Sequence, residues 1–178
     1  MLQDHVTPLT LALVAAVHLA CLVASAAVLR AAPARFPGWR VVGPGGMHWF
    51  AFLGSWAFAA LISWVWLLVG SARSDAERQM RYALLLIVAF GIGATWSGFY
   101  IARLRRMALR WRGTAIRWRA RGRDVIQDMA DFDAFRRAWS GLLYLRFRDG
   151  TILKLDPYAR NAGEFAAALS ERAGLDIE

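Results

Sequence analysis

The chain has 178 residues, 58% of them hydrophobic, with nine Trp, ten Phe and a formal net charge of +9. That apolar share is too high for an ordinary soluble domain of this length. A single cysteine excludes an internal disulfide and a cysteine-based metal centre. Three blocks contain no Asp, Glu, Lys or Arg: roughly Leu9 to Leu29, Met47 to Gly70 and Tyr82 to Ala102. A bilayer core about 30 Å thick needs about 20 apolar helical residues. Each block meets that length, so the sequence predicts three transmembrane helices at 9–29, 47–70 and 82–102 within a membrane region 1–102.

The first block reads as a span rather than a signal peptide. Residues 1–8 hold no Lys or Arg, and the apolar run exceeds the usual core of about 7–15 residues. Cys21 is not a lipoprotein cysteine, because His18 stands where an aliphatic residue belongs. Ala12, Ala16, Ala20 and Ala24 recur every four residues, and Gly91, Gly93, Ala94, Thr95 and Gly98 keep the third block small. Small faces let helix backbones approach closely, so spans one and three should pack together or against another subunit.

The first connection carries Arg30, Arg35 and Arg40, and its two prolines followed by Gly43-Pro44-Gly45-Gly46 forbid a continuous helix. It reads as a surface loop that dips into the membrane interface through Phe36 and Trp39, with the glycines as a hinge. The second connection has Arg73, Arg78 and Arg81 beside Asp75 and Glu77. Arg103, Arg105 and Arg106 follow the third block directly. With three spans, the first loop and the C-terminal segment share a side, and that side holds the positive excess. The expected placement is a multi-pass bacterial inner-membrane protein with its N-terminus outside and its C-terminal region, 103–178, cytoplasmic.

After Ala102 the period changes to two. Met107, Leu109 and Trp111 alternate with Arg110 and Arg112, and Ile116, Trp118 and Ala120 alternate with Arg117, Arg119 and Arg121. Alternation predicts half-buried strands, joined by a tight turn at Arg112-Gly113. Within residues 124–139, Val125, Ile126 and Met129 fit a strand or a short helix and Asp128, Asp131 and Asp133 fit an acidic loop; Phe135 and Trp139 are expected to pack on the core. A second hairpin turns at Arg148-Asp149-Gly150. A three-residue loop pairs Leu145 with Leu153 and Leu143 with Leu155, keeps one face apolar and puts Gly150 at the left-handed bulge position. Asn161, with Glu164 three residues on, is the expected N-cap of a helix that buries Phe165 and Leu169 and ends near Gly174.

The expected fold is therefore membrane α-helical plus a small C-terminal α+β domain of antiparallel hairpins closed by a helix. Arg123-Asp124-Val125-Ile126, the Phe147–Leu155 hairpin and the helix from Glu164 to Ala173 give this segment an order of parts that resembles bacterial pleckstrin-homology-like domains attached to membrane spans. The resemblance covers about residues 105–174. The aromatic residue and proline that many members carry before the Asp-hydrophobic step are replaced by Gly122-Arg123. The resemblance implies a non-catalytic domain that contacts lipid or protein.

Residues 103–123 hold nine Arg and no acid, whereas 124–178 hold six Arg and one Lys against ten acids. Charge concentrated beside a membrane attracts anionic headgroups. The candidate lipid-binding residues are Arg103, Arg105, Arg106, Arg110, Arg112, Arg117 and Arg119. Nucleic-acid binding through Trp111 and Trp118 interleaved with Arg is the weaker account of the same charge. His18 and His48 are the two histidines within or at the ends of the spans. Their different depths argue against two ligands on one haem, and His18 is expected to donate to a backbone carbonyl. No nucleotide loop, zinc motif or nucleophile elbow occurs, so no catalytic, cofactor or metal residues are assigned. The function expected is a non-enzymatic scaffold, adaptor or accessory subunit, whose partners are anionic lipids and other membrane subunits or further copies of itself. The alternative is a small transporter or redox component using His18.

Overall fold

The computed structural model describes residues 7–31, 36–69, 75–120 and 122–174. Gly70 at the end of the second span, Arg73 in the second connection, and Arg35 and Arg121 lie outside the described residues. The chain forms two compact units: Met1–Arg30 with Trp49–Ala102, and Ala31–His48 with Arg103–Glu178.

The first unit is helical. Thr7 and Thr10 cap the opening helix reciprocally, the Thr10 amide donating to Thr7 Oγ1 at 3.2 Å and the Thr7 amide to Thr10 Oγ1 at 2.9 Å. Pro8 fits the first helical position because its missing N–H had no partner there. Helix α1 then runs Pro8–Arg30. Helix α2 is Gly46–Trp64 and continues through a π-helical turn, Val65–Val69. Helix α3 is Ala76–Met107. Each is long and apolar enough to cross a membrane. At 1.5 Å per residue, α3's 32 residues exceed a bilayer core, and its charged ends (Glu77 to Arg81, Arg103 to Arg106) mark the surplus turns.

The small residues set the helix packing. A Cβ on Gly91 would strike the Val17 side chain, and one on Gly98 would fall 2.9 Å from both Ala24 Cβ and Phe52 Cε2. Cys21 Sγ lies 3.8 Å from Thr95 Oγ1. Val17–Gly91, Cys21–Thr95 and Ala24–Gly98 all carry the same 74-residue offset, so α1 and α3 run parallel in one register. Buried positions recur at alternating steps of three and four on both: Val14, Cys21, Ala24 and Val28 on α1 with Val17 between them, and Ile87, Gly91, Ala94, Gly98 and Ile101 on α3. This is the heptad spacing of a left-handed helix pair. The expected pairing of spans one and three therefore holds, but through a different α1 face: Ala12 and Ala16 are exposed, and only Ala24 of that stripe meets a glycine. Helix α2 runs antiparallel, placing Phe52 by Gly98, Ser55 by Gly93 and Phe58 stacked on Phe90 at 5.2 Å.

Among the described residues the second unit forms seven strands and the helix α4: β1 Arg40–Val41, β2 Arg110–Arg112, β3 Ala115–Ala120, β4 Arg123–Asp128, β5 Phe132–Arg137, β6 Leu143–Phe147, β7 Ile152–Leu155 and α4 Ala162–Ala173. They form two antiparallel meanders, β1-β2-β3-β4 and β5-β6-β7. One core receives side chains from both sheets and from α4, including Val42, Leu109, Trp111, Ile116, Trp118, Phe147, Leu155, Phe165 and Leu169. Period-two alternation explains the strands: inward Ile116 and Trp118 alternate with outward Arg117 and Arg119.

The β6–β7 turn occurs as predicted, whereas the β2–β3 turn lies one residue beyond the expected Arg112-Gly113, which keeps Trp111 opposite Ile116 on the core face. Gly113-Thr114 closes β2–β3, pairing Arg112 with Ala115, and Gly113 takes a left-handed φ of 58°. The β6–β7 register pairs Leu145 with Leu153 and Leu143 with Leu155, with Gly150 at φ 82°. Of the two alternatives, Val125 and Ile126 take the strand, β4; Met129 opens a 3-10 turn, Met129–Asp131, and β5 follows.

Other expectations are corrected. The first connection is not a separate surface loop. It supplies β1, and the second unit therefore takes in residues 31–48 as well as the expected 103–178. The glycine cluster is not a hinge. Gly43 pairs with Arg160 in an antiparallel bridge, and Gly45 lies so close to the Tyr158 carbonyl that no Cβ fits. Asn161 does begin α4, but its side chain donates to the Val41 carbonyl at 2.9 Å instead of capping the helix. Glu164 pairs with Arg40. Trp139 stands fully in solvent at the β5–β6 turn instead of packing on the core.

Gly98→Leu is expected to lower the thermal midpoint in mild detergent, with a cost of about 1–3 kcal/mol for overpacking a close helix contact. Gly54→Ala, at a site with open space around it, should leave the midpoint unchanged; differential scanning fluorimetry compares the two.

Candidate functional site

The seven arginines proposed from the sequence fall on two elements, the end of α3 and the β2–β3 hairpin. Arg103 and Arg106 are exposed and Arg105 is half-buried on the last turns of α3. The other four belong to the β2–β3 hairpin. The turn at Gly113-Thr114 pairs Arg110 with Arg117 across the two strands, so both side chains project from the outer face of the sheet about 5 Å apart. Arg110 is 8% exposed. Its guanidinium lies 3.8 Å from the centre of the Phe36 ring and 5.8 Å from that of Trp39, while Arg117 lies 5.2 Å from Trp39. Phe36 and Trp39, expected as membrane-interface residues, are thus the roof of an arginine slot. Cation–π contact of this kind contributes about 0.5–2 kcal/mol each.

Counter-charge in the slot is sparse. Asp124 Oδ2 is 3.8 Å from Arg110 Nη2, and its other oxygen accepts from Arg119 Nε at 3.3 Å. Arg110 also donates to the Ala108 carbonyl at 3.4 Å. Arg117 makes no hydrogen bond or ion pair among the described residues, and its Nε is buried without a partner. Arg112 is exposed and reaches over Gly38. One carboxylate therefore serves two guanidinium groups, and two more have none. A buried donor left unsatisfied costs about 1–3 kcal/mol.

The arginines and their alternation were readable in the sequence, but their pairing was not: a turn at Arg112-Gly113 would set Arg110 opposite Ala115, and the observed turn at Gly113-Thr114 sets it opposite Arg117. The roof was not readable, because Phe36 and Trp39 lie some 70 residues away. Trp111 and Trp118 face the core against Phe165 and Phe147, so they are not available to stack bases.

A second constellation joins the first connection to the β7–α4 turn. His48 Nδ1 accepts from the Gly45 amide at 3.1 Å; an amide only donates, so Nε2 carries the proton and donates to Asp156 Oδ2 at 3.0 Å. Asp156 Oδ1 in turn accepts from the Tyr158 amide at 2.9 Å. Both side chains are largely buried. With the Gly43–Arg160 bridge this forms a latch that ties the first connection to the domain. His18 behaves as expected: Nδ1 donates to the Val14 carbonyl at 2.9 Å, and the ring meets Trp56 edge-on.

Asp128, Asp131 and Asp133 are not one acidic loop. Asp128 caps the 3-10 turn, accepting from the Ala130 amide at 2.9 Å and the Thr114 hydroxyl at 2.7 Å. The Ala130 bond first, then the Thr114 bond, hold its carboxyl below the usual carboxylate range. Asp133 pairs with Arg146 at 2.6 Å.

Comparison with protein-family models, curated proteins and solved structures finds no match to this chain.

Two outcomes are expected. His48→Leu should cost about 1–3 kcal/mol by leaving the Asp156 carboxylate short of a donor and should speed amide exchange at Gly43 and Arg160, read by hydrogen-exchange mass spectrometry. Asp128, with its folded pKa lowered, stabilises the domain above its unfolded value near 3.8, and that contribution is lost as pH falls through the lower folded value. Asp128→Asn should therefore lower the thermal midpoint at neutral pH and flatten its fall below about pH 4.

Proposed function

We propose that this chain is a non-enzymatic scaffold, adaptor or accessory subunit of a bacterial inner-membrane complex, with its α+β domain in the cytoplasm. One observation carries the reading: β1, between α1 and α2, pairs with β2, after α3. Two segments in one sheet lie on one side of a membrane, so α2 and α3 either both cross it or both do not. Their length and apolarity support crossing. The shared side then holds all but three of the 22 Lys and Arg residues, the exceptions being Arg73, Arg78 and Arg81. That asymmetry supports a cytoplasmic domain and an outside N-terminus.

Seven strands divided four and three, with a helix after the last, support the pleckstrin-homology-like reading. In this reading β1 comes from the first connection. Such a domain works by contact, and the geometry offers two kinds. Exposed Arg103, Arg106 and Arg112 suit anionic headgroups, at about 1 kcal/mol per residue near the surface. The outer face of β5–β6–β7 carries Tyr144, Ile152, Arg136 and the fully exposed Trp139 around a groove of about 550 Å³, a composition suited to a protein partner. The transporter or redox alternative draws no support from His18, whose Nδ1 is committed to Val14.

A C-terminal alkaline-phosphatase fusion should be inactive and a C-terminal fluorescent-protein fusion bright in a bacterial host; the reverse pattern sinks the orientation. Protein extracted in mild detergent should retain anionic lipid and co-purify with a membrane complex or with further copies of itself. A lone, lipid-free monomer would remove the scaffold reading.

A further inference from the structure

The slot on the outer face of β2 and β3 has an excess of positive charge that no ion pair among the described residues balances. Four guanidinium groups project from this hairpin: Arg110, Arg112, Arg117 and Arg119. The carboxylate among them, Asp124, pairs at 3.3 Å with Arg119 and stands only 3.8 Å from Arg110. Arg110 is buried, so water does little to screen it. Arg117 has an aromatic ring over it, and its Nε is sealed from solvent with no acceptor among the described residues. Two directly opposed like charges repel each other across a strand pair. Buried charge is ordinarily paired. A sheet that keeps Arg110 and Arg117 side by side, and brings Phe36 and Trp39 from a distant segment to cover them, has the parts of a receptor for a multivalent anion.

We propose that Arg110, Arg112 and Arg117, roofed by Phe36 and Trp39, bind a phosphate-class oxyanion. Guanidinium forks present paired N–H donors that match two oxygens of a tetrahedral phosphate, and a phosphate offers enough oxygens to serve more than one fork at once. A carboxylate has only two oxygens, so it serves two guanidinium groups through one oxygen each, as Asp124 does, and cannot engage both forks bidentately. Arg112, exposed and without a hydrogen-bond or ion-pair partner among the described residues, is the side chain free to close on the ligand. The phosphate is that of a lipid headgroup or of a small soluble phosphate; the chemistry is shared and the source is decided by experiment. The lipid source rests on the proposed membrane-surface reading, whereas the slot itself does not.

Full-length protein, delipidated in a neutral detergent, is titrated with inorganic phosphate and separately with short-chain phosphatidylglycerol. Acetate and short-chain phosphatidylcholine serve as controls at matched ionic strength, and the thermal midpoint is the readout. Phosphate or phosphatidylglycerol should raise the midpoint saturably, acetate and phosphatidylcholine should not, and Arg117→Gln should weaken the response about tenfold or more. Should Arg117→Gln fail to fold, Arg112→Gln, at an exposed position, supplies the same comparison. A response to inorganic phosphate alone supports a soluble ligand, and one to phosphatidylglycerol alone supports a headgroup. No saturable response to either, or an equal response to acetate, overturns the proposal. So does a phosphatidylglycerol response that survives Arg117→Gln and Arg112→Gln but is lost in Arg103→Gln/Arg106→Gln; that outcome leaves general lipid contact standing and removes the slot.

Discussion

Two residues of strand, Arg40 and Val41, connect parts of the chain that two long helices separate. Their pairing with Trp111 and Arg110 is short, but neighbouring contacts reinforce it. Val42 enters the core, Gly43 exchanges backbone hydrogen bonds with Arg160, Asn161 donates to Val41, and His48 reaches Asp156. Without these contacts the four-stranded sheet would begin at β2, the slot would lack its roof, and the first connection would be the loop its prolines and glycines suggest. Closing a sheet over some 70 intervening residues is entropically costly. Helices α2 and α3 lower that cost by occupying most of the interval with rigid structure.

The glycines show the same principle at shorter range. In the helices Gly91 and Gly98 have value because α1 passes so close that Val17 and Ala24 occupy the space a side chain would need. In the first connection Gly45 is required by the Tyr158 carbonyl. Close approach explains these three, whereas Gly113 and Gly150 serve left-handed turns. One residue type thus answers two different physical demands, and only the partner surface distinguishes them.

Arginine is likewise divided by geometry. Along residues 103–123 the same side chain serves as exposed charge at the end of α3, as a roofed cation on β2 and β3, and as an ion-pair partner for Asp124. Strand pairing separates these roles. Alternation sends Arg117 and Arg119 outward while Ile116 and Trp118 fill the core, and cross-strand register then decides which arginine meets a carboxylate and which meets another arginine.

The sequence by itself determined the local features. Charge-free blocks about 20 residues long set the three helices, period two set the strands of the domain, and the spacing of apolar residues around Asp149-Gly150 set the β6–β7 register, because each depends on interactions a few residues apart. Tertiary structure decided what depends on distant partners. It recruited the first connection as a strand, set Val14, Val17 and Cys21 beside Ala24 on the packed face of α1 while leaving Ala12 and Ala16 exposed, and turned Asn161 from a cap to a tether. It also left Trp139 in solvent and placed Phe36 and Trp39 over Arg110 and Arg117. Hydrophobic period identifies the apolar positions of an element, but which surface they meet depends on register and close approach across the fold, and composition carries no record of either.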